Sequence, residues 1–125
     1  MKQLLLLSAF LLATCTGFAQ TSKKRLIDTA EVKAAELVKV NFSEPEKSQK
    51  KFLTKKQYND FAVRWNASKP VGADKYEMRY YVYLSLKDGS QRKFTIAGSQ
   101  VQEQNWMTHD IGDGSYFDRL WAAIK

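Results

Sequence analysis

The stretch from residue 76 to residue 97 constrains the fold of this chain more than any other part. Apolar residues recur at every second position from Met78 to Leu86, which places them on one face of a β-strand. A Lys87-Asp88-Gly89 turn separates this run from a second run that contains Phe94 and Ile96. The pattern predicts a long β-hairpin.

The length of the turn decides which residues of the hairpin face each other. A two-residue loop pairs Leu84 with Lys93 and turns the apolar residues of the second strand away from the leucines. A three-residue loop pairs Val82 with Phe94 and puts all the aliphatic side chains on one face. Burial favours the second register, since a slip of one residue turns a whole strand over. This register requires a positive φ at Gly89.

The opposite face of the hairpin is the first candidate binding surface. It carries Arg79, Tyr81 and Tyr83 on one strand, and Lys93 and Thr95 on the other. Tyr and Arg are favoured in binding patches because they combine contact area with hydrogen bonding. The alternatives are that these tyrosines form ordinary cross-strand pairs on a wet sheet, or that the N-terminal segment covers them.

The N-terminus has the three-part layout of a secretory signal peptide. A short basic start with Lys2 precedes an apolar run over residues 4–12, and small residues at Gly17 and Ala19 fit cleavage before Gln20. The apolar run is shorter than the roughly 20 residues that cross a bilayer. The pattern therefore predicts export rather than a membrane anchor.

The predicted leader also fixes the compartment and the domain organisation. Its Ala19-Gln20 end resembles the leaders of exported Bacteroidota proteins, which implies a Gram-negative envelope. We expect a signal peptide over residues 1–19 and one small domain over residues 20–125, located in the periplasm or outside the cell. Nucleic acid is not an expected partner there.

Cys15 is the only cysteine of the chain and lies in the leader. The sequence Leu12-Ala13-Thr14-Cys15 resembles a lipobox, although Thr14 stands where Gly, Ala or Ser is usual. Lipid anchoring through Cys15 is therefore the less favoured alternative. If the leader is removed, the mature chain has no cysteine for disulfide or thiol chemistry.

Positive charge is concentrated in the first half of the chain, and it defines the second candidate surface. Without Lys2, the chain has 19 Lys and Arg residues and 13 Asp and Glu residues, which gives a net charge of +6. Five lysines crowd together in this half: Lys47, Lys50, Lys51, Lys55 and Lys56. Such a cluster could attract phosphates, anionic lipid headgroups or acidic glycans. The alternative is a solvated face that keeps the protein soluble.

Two amphipathic segments predict helices, over residues 54–67 and 115–124. Thr54 and Gln57 fit a capping box, and Ser115 with Asp118 fits the start of the second helix. Apolar side chains recur at helical spacing in both segments, namely at Tyr58, Phe61, Ala62 and Trp65, and at Phe117, Leu120, Trp121 and Ile124.

The remaining segments are less regular. Alternation predicts a strand over residues 35–43, whereas helix and strand both remain open before it. The charged, Pro-containing stretch 43–51 predicts a loop, residues 101–107 predict a third strand, and the polar start at residues 21–25 is expected to be mobile.

The sequence contains few residues that could carry out catalysis. His109 is the only histidine, and without a cysteine or nucleophile motif it makes neither a convincing triad nor a zinc site. We expect it to be exposed in a turn. The spacing of Asp110, Asp113 and Asp118 does not match an EF-hand loop. No metal and no cofactor are therefore expected.

These patterns together predict an α+β fold, with a small antiparallel sheet built on the hairpin 76–97 and two helices packed on one face. The leading functional hypothesis is an exported, non-catalytic binding module with a protein or glycan partner. The alternative is a peripheral envelope protein that binds an anionic surface through its lysines. The third hypothesis is a small envelope hydrolase that uses His109.

Overall fold

The computed structural model describes residues 24–71, 77–104 and 106–124 of the chain. The strands are β1 (Val32–Lys39), β2 (Gln49–Phe52), β3 (Lys69–Pro70), β4 (Tyr80–Leu86), β5 (Gln91–Ala97), β6 (Gln100–Glu103) and β7 (Thr108–Asp110). The helices are α1 (Lys55–Ala67) and α2 (Tyr116–Ala123). The predicted signal peptide, with Cys15, and Tyr76 of the hairpin lie outside the described residues.

The seven strands form one antiparallel sheet in the order β2-β1-β4-β5-β6-β7-β3. The α+β class is confirmed, but the sheet is larger than the small one predicted. Strand β1, predicted over residues 35–43, instead spans Val32–Lys39. It follows a 3₁₀ turn over Thr29–Glu31. The predicted loop 43–51 contains a second 3₁₀ turn (Pro45–Lys47) and most of β2, and the predicted strand 101–107 is instead the two strands β6 and β7.

The central hairpin has the predicted register. Val82 pairs with Phe94, and Leu84 faces Arg92 rather than Lys93. The Leu86 N–H donates to Ser90 O at 2.9 Å, which closes the three-residue loop. Gly89 has φ of 91°, as this loop requires.

The hydrophobic core joins one face of the sheet to side chains of both helices. Phe61 and Trp65 of α1 contact Phe94 edge-on, with ring centroids 5.3 and 5.0 Å apart. Phe117 of α2 lies 5.9 Å from Phe61 and 6.3 Å from Tyr80. Most residues of the predicted apolar stripes are therefore in the core, and Tyr58 and Trp121 are partly buried against it.

The two helices differ in how they begin. At α1, Gln57 N–H donates to Thr54 Oγ1 at 3.2 Å and Thr54 N–H donates to Gln57 Oε1 at 2.8 Å, so the predicted capping box is confirmed. The start of α2 after Ser115 is as predicted, but the Ser115 side chain makes no cap hydrogen bond. Ser115 N–H instead donates to Asp113 Oδ1 at 3.1 Å.

Residues 24 and 25 of the start that was expected to be mobile are held by later parts of the chain, whereas residues 21–23 lie outside the described residues. Lys24 Nζ donates to Asn66 O at 2.7 Å, and Trp65 Nε1 donates to Arg25 O at 2.8 Å. Arg92 donates to Arg25 O at 2.8 Å and to Leu26 O at 2.9 Å. The described part of this segment, from Lys24 onward, is thus tied to α1 and β5.

Arg92 also forms a buried ion pair with Glu103 of β6. Its Nε and Nη2 donate to the two carboxylate oxygens at 2.7 and 2.6 Å. The bidentate geometry satisfies both charged groups in a place that water does not reach. Arg92 lies opposite Leu84 and Glu103 opposite Phe94, so the pair is on the buried side of the sheet.

Candidate functional site

Cross-strand pairing defines the face of the sheet that points away from the core. Residues directly opposite each other on antiparallel strands project to the same side. One such row contains Phe52, Glu36, Tyr83 and Lys93, and the next contains Lys50, Val38, Tyr81 and Thr95. All eight are exposed or half-buried. We call these two rows the open face.

Three of the predicted site residues meet on the open face. The Tyr81 and Tyr83 rings lie with centroids 6.0 Å apart. Lys93 Nζ lies 4.1 Å from the Tyr81 centroid and 5.8 Å from that of Tyr83. An ammonium group over an aromatic ring is stabilised by the ring quadrupole. The arrangement therefore holds a positive charge directly above an aromatic surface.

Arg79, the fourth residue predicted for this surface, lies apart from the other three. Strand β4 begins at Tyr80, so the alternation used to place Arg79 does not extend to it. Arg79 lines a hollow of about 330 Å³ together with Tyr80 and Asp118. Met78, which alternation placed on the core face, is half-buried and lies beside Tyr81 and Tyr83.

A hollow of about 460 Å³ opens on the open face beside the two tyrosines. Its lining is mostly apolar or aromatic: Val38, Val40, Phe42, Pro45, Met78, Tyr81 and Tyr83, with Asn41 and Ser48. Phe42 is 54% exposed. Sequence reasoning placed Phe42 in a strand and so missed the hollow, because β1 ends at Lys39.

The polar groups of the hollow are largely used within the loop that carries them. Asn41 N–H donates to Ser48 Oγ at 3.0 Å, and Asn41 Oδ1 accepts from Glu44 N–H at 3.1 Å. These bonds shape the loop around the Pro45–Lys47 turn. The hollow is therefore suited to an apolar group.

The five lysines of the basic cluster have different surroundings in the structure. Lys51 Nζ donates to Trp121 O at 3.3 Å and to Ile124 O at 2.9 Å, and lies 4.3 Å from the Trp121 ring centroid. Lys51 thus caps the C-terminus of α2, where carbonyl groups lack helical partners. Lys47 forms an ion pair with Glu44. The other three, Lys50, Lys55 and Lys56, are exposed.

His109 is buried, so the expectation of an exposed turn histidine is wrong. It lies in β7 opposite Val101 and is 4% exposed. Its ring centroid is 5.1 Å from that of Trp65, and Nδ1 lies 2.9 Å from Met107 O. Burial lowers the pKa of the imidazole, although its bond to Met107 opposes the shift. His109 is a packed core residue.

The acidic residues near α2 form structural contacts. Asp118 accepts from the Tyr80 hydroxyl at 2.7 Å, and burial together with this bond raises the pKa of Tyr80 to about 12. Asp113 pairs with Arg119, which lowers the pKa of that carboxyl group. Among residues 24–71, 77–104 and 106–124, no group of three or more His, Cys, Asp or Glu side chains could hold a metal ion.

Comparison with known proteins adds no family to this description. No protein-family model, curated protein or solved structure matches the chain.

No helix in the described ranges is both long and apolar enough to cross a membrane.

Proposed function

We propose that the protein is an exported, non-catalytic interaction module that binds its partner on the open face, at the hollow beside Tyr81 and Tyr83. The observation that carries the proposal is this hollow of about 460 Å³, lined by aromatic and aliphatic side chains and bordered by the exposed Phe42. Ligand sites in proteins commonly have such a volume and such a lining. Lys93 adds a charge beside it.

The arrangement of the helices supports this choice of face. We infer that α1 and α2 both cover the core face, since Phe61, Trp65 and Phe117 all belong to one core cluster with Phe94. Neither helix supplies a side chain to the hollow. The open face is then the broad side of the sheet on which a partner can lie.

The chemistry of the hollow favours a protein partner over a glycan. Sugar hydroxyls need several directed hydrogen-bonding groups, but Asn41 and Ser48 already bond within their own loop. An apolar side chain of a partner protein needs none, and the aromatic rings give it contact area. An acidic neighbour of that side chain can meet Lys93.

The test is retention of envelope proteins by the immobilised mature protein. We expect wild type to retain a protein that the Tyr81→Ala/Tyr83→Ala variant does not, and that protease treatment of the extract removes. The matched control is Val63→Ser, which changes an apolar side chain of α1 that is 66% exposed and outside the hollow. Equal retention by wild type and the double variant would falsify the proposal.

Binding to an anionic surface is the second candidate, because the side chains of Lys50, Lys55 and Lys56 are exposed. Attraction between such charges and a lipid surface is screened by salt over roughly 10 Å at 0.1 M ionic strength. Binding to vesicles that contain anionic lipid should therefore fall steeply with salt, and should be lost when all three lysines are changed to Gln. Retention that does not depend on salt would exclude this candidate.

A further inference from the structure

Strand β2 is an edge of the sheet that the described residues form. Leu53 N–H donates to Ala35 O at 2.9 Å, and the pairs Glu36–Phe52 and Val38–Lys50 share the same register. In an antiparallel ladder, hydrogen-bonded and non-hydrogen-bonded pairs alternate. The N–H and C=O groups of Lys50 and Phe52 therefore point away from β1. Within the described residues, no strand pairs with β2 on that side.

The same two residues present their side chains on the open face. Phe52 is 64% exposed and Lys50 is exposed as well. The row that starts at Lys50 continues through Val38 to Tyr81, which both line the hollow. The free edge is therefore continuous with the proposed binding surface.

The opposite edge of the sheet is closed to strand addition by its own sequence. Strand β3 has only two residues, Lys69 and Pro70. Proline has no N–H group to offer, and such a short edge gives a partner little to pair with. A partner that pairs through its backbone can therefore hydrogen-bond to the outward N–H and C=O groups of β2.

We propose that the partner is an extended protein segment that adds to β2 as an eighth strand. An acidic residue of the segment lies opposite Lys50, and an apolar residue two positions away lies opposite Phe52. Backbone hydrogen bonds to an edge strand supply affinity, and alternate side chains supply specificity. The inference rests on the proposed function, since it names the partner of the same surface.

Charge decides between this partner and a second copy of the chain. Two β2 edges would bring together the lysines of both copies, including Lys50 and Lys51, and like charges directly opposite each other destabilise a sheet. An acidic segment has the complementary charge. A lysine on an edge strand also hinders strand addition by uncharged segments.

The probe is the synthetic peptide acetyl-Thr-Glu-Thr-Phe-Thr-Glu-Thr-amide, which offers acidic and apolar side chains on one face. We expect saturable binding to the mature protein, measured by fluorescence anisotropy of a labelled copy. In amide spectra, binding should slow hydrogen exchange at Lys50 and Phe52, whose N–H groups point outward. The peptide with Lys in place of Glu should bind at least about tenfold more weakly.

The decisive variant is Lys50→Pro, which removes one outward N–H group and leaves the bonds between β2 and β1 in place. It should weaken peptide binding about tenfold, since it removes a backbone hydrogen bond and a charge together. The control is Val63→Ser, on the exposed side of α1 and in neither candidate binding surface. This control should bind within about twofold of wild type, since it leaves the backbone groups and the charges of β2 unchanged.

The outcomes separate this inference from the proposed function. If wild type shows no binding at millimolar peptide, or if Lys50→Pro binds as well as wild type, strand addition at β2 is wrong. If Lys50→Pro still retains the envelope protein that Tyr81→Ala/Tyr83→Ala loses, the open face binds a partner without using the edge. A concentration-dependent dimer in light scattering that Lys50→Pro abolishes would identify a second copy as the occupant and overturn the inference.

Discussion

The two faces of strand β4 carry similar residues and have opposite surroundings. Tyr80, Val82 and Leu84 are buried in the core, whereas Tyr81 and Tyr83 lie between them in sequence and are half-buried on the open face. Burial of a large side chain contributes about 1.5–3 kcal/mol, so the core side determines whether the sheet forms. Aromatic residues on the open side are less buried and so contribute less to folding, and the proposed function assigns them to binding.

The largest effect is expected on the core side, at Trp65. Its side chain is fully buried against Phe94, and its indole N–H donates to Arg25 O. Trp65→Ala should lower the free energy of unfolding by about 3–5 kcal/mol, because it leaves a large cavity. Chemical denaturation measures this, with Val63→Ala on the exposed side of the same helix as the control. A denaturation midpoint of Trp65→Ala equal to that of wild type would contradict the assignment of Trp65 to the core.

Arg92 tests whether a charged residue on the core side behaves like a core residue. Arg92→Met should cost about 3 kcal/mol, because it leaves Glu103 buried without its partner and removes one hydrogen bond each from Arg25 O and Leu26 O. The double variant Arg92→Met/Glu103→Met should recover part of this loss in the same denaturation experiment. If the double variant is less stable than Arg92→Met, the unpaired carboxylate is not the cause.

His109 gives the core side a dependence on pH. Burial holds the pKa of folded His109 below the ordinary histidine value of about 6.5, so the unfolded chain binds the proton more readily. Stability should therefore be complete above pH 6.5 and fall as the pH drops below it, with a slope of at most about 1.4 kcal/mol per pH unit. Denaturation midpoints between pH 5 and 8 should lose this slope in His109→Gln. An equal slope in both proteins would contradict the prediction.

The two helix starts provide a smaller and matched comparison. Thr54→Ala should cost about 1 kcal/mol, since it removes an N-cap hydrogen bond that the structure contains. Ser115→Ala should change stability by less than about 0.5 kcal/mol, because its side chain makes no cap bond. Thermal unfolding of both variants checks the difference. Equal losses would show that the cap at α1 does not stabilise that helix.

The smallest effect on folding is expected on the open face, where the effect on binding is largest. Tyr81→Ala and Tyr83→Ala should each lower stability by less than about 1 kcal/mol, the value of a cross-strand pair. The same variants should lose the partner in the retention experiment. Losses of stability as large as that of Trp65→Ala would show that the open face is covered and belongs to a second core.

The parts of the fold that local chemistry controls could be predicted from the sequence. The register of the hairpin follows from turn length and the side on which Val82 and Phe94 lie, and the start of α1 follows from Thr54 and Gln57. Strand β2 was missed because its Lys50 and Lys51 look like a charged loop. A loop with a 3₁₀ turn, rather than a recognisable hairpin turn, joins β2 to its partner β1, and an edge strand needs no apolar alternation.

The buried polar groups were missed for a related reason. The predicted register already placed Arg92 opposite Leu84, on the apolar face, which was a signal of a buried charge. Its partner Glu103 could not be identified without the pairing of β5 with β6. His109 was assigned to a turn from its Asp and Gly neighbours, yet its pairing with Val101 places it in the core.

The hydrogen bonds to Arg25 O and Leu26 O also determine the order in which parts of the fold can form. The donors for Arg25 O come from Trp65 and Arg92, which are 40 and 67 residues further along the chain. Glu103, which holds Arg92 in place, is later still. The ribosome must therefore synthesise most of the protein before these hydrogen bonds to Arg25 can form. We expect the hydrogen bonds to Arg25 O and Leu26 O to form late, after Arg92 and Glu103 have been synthesised.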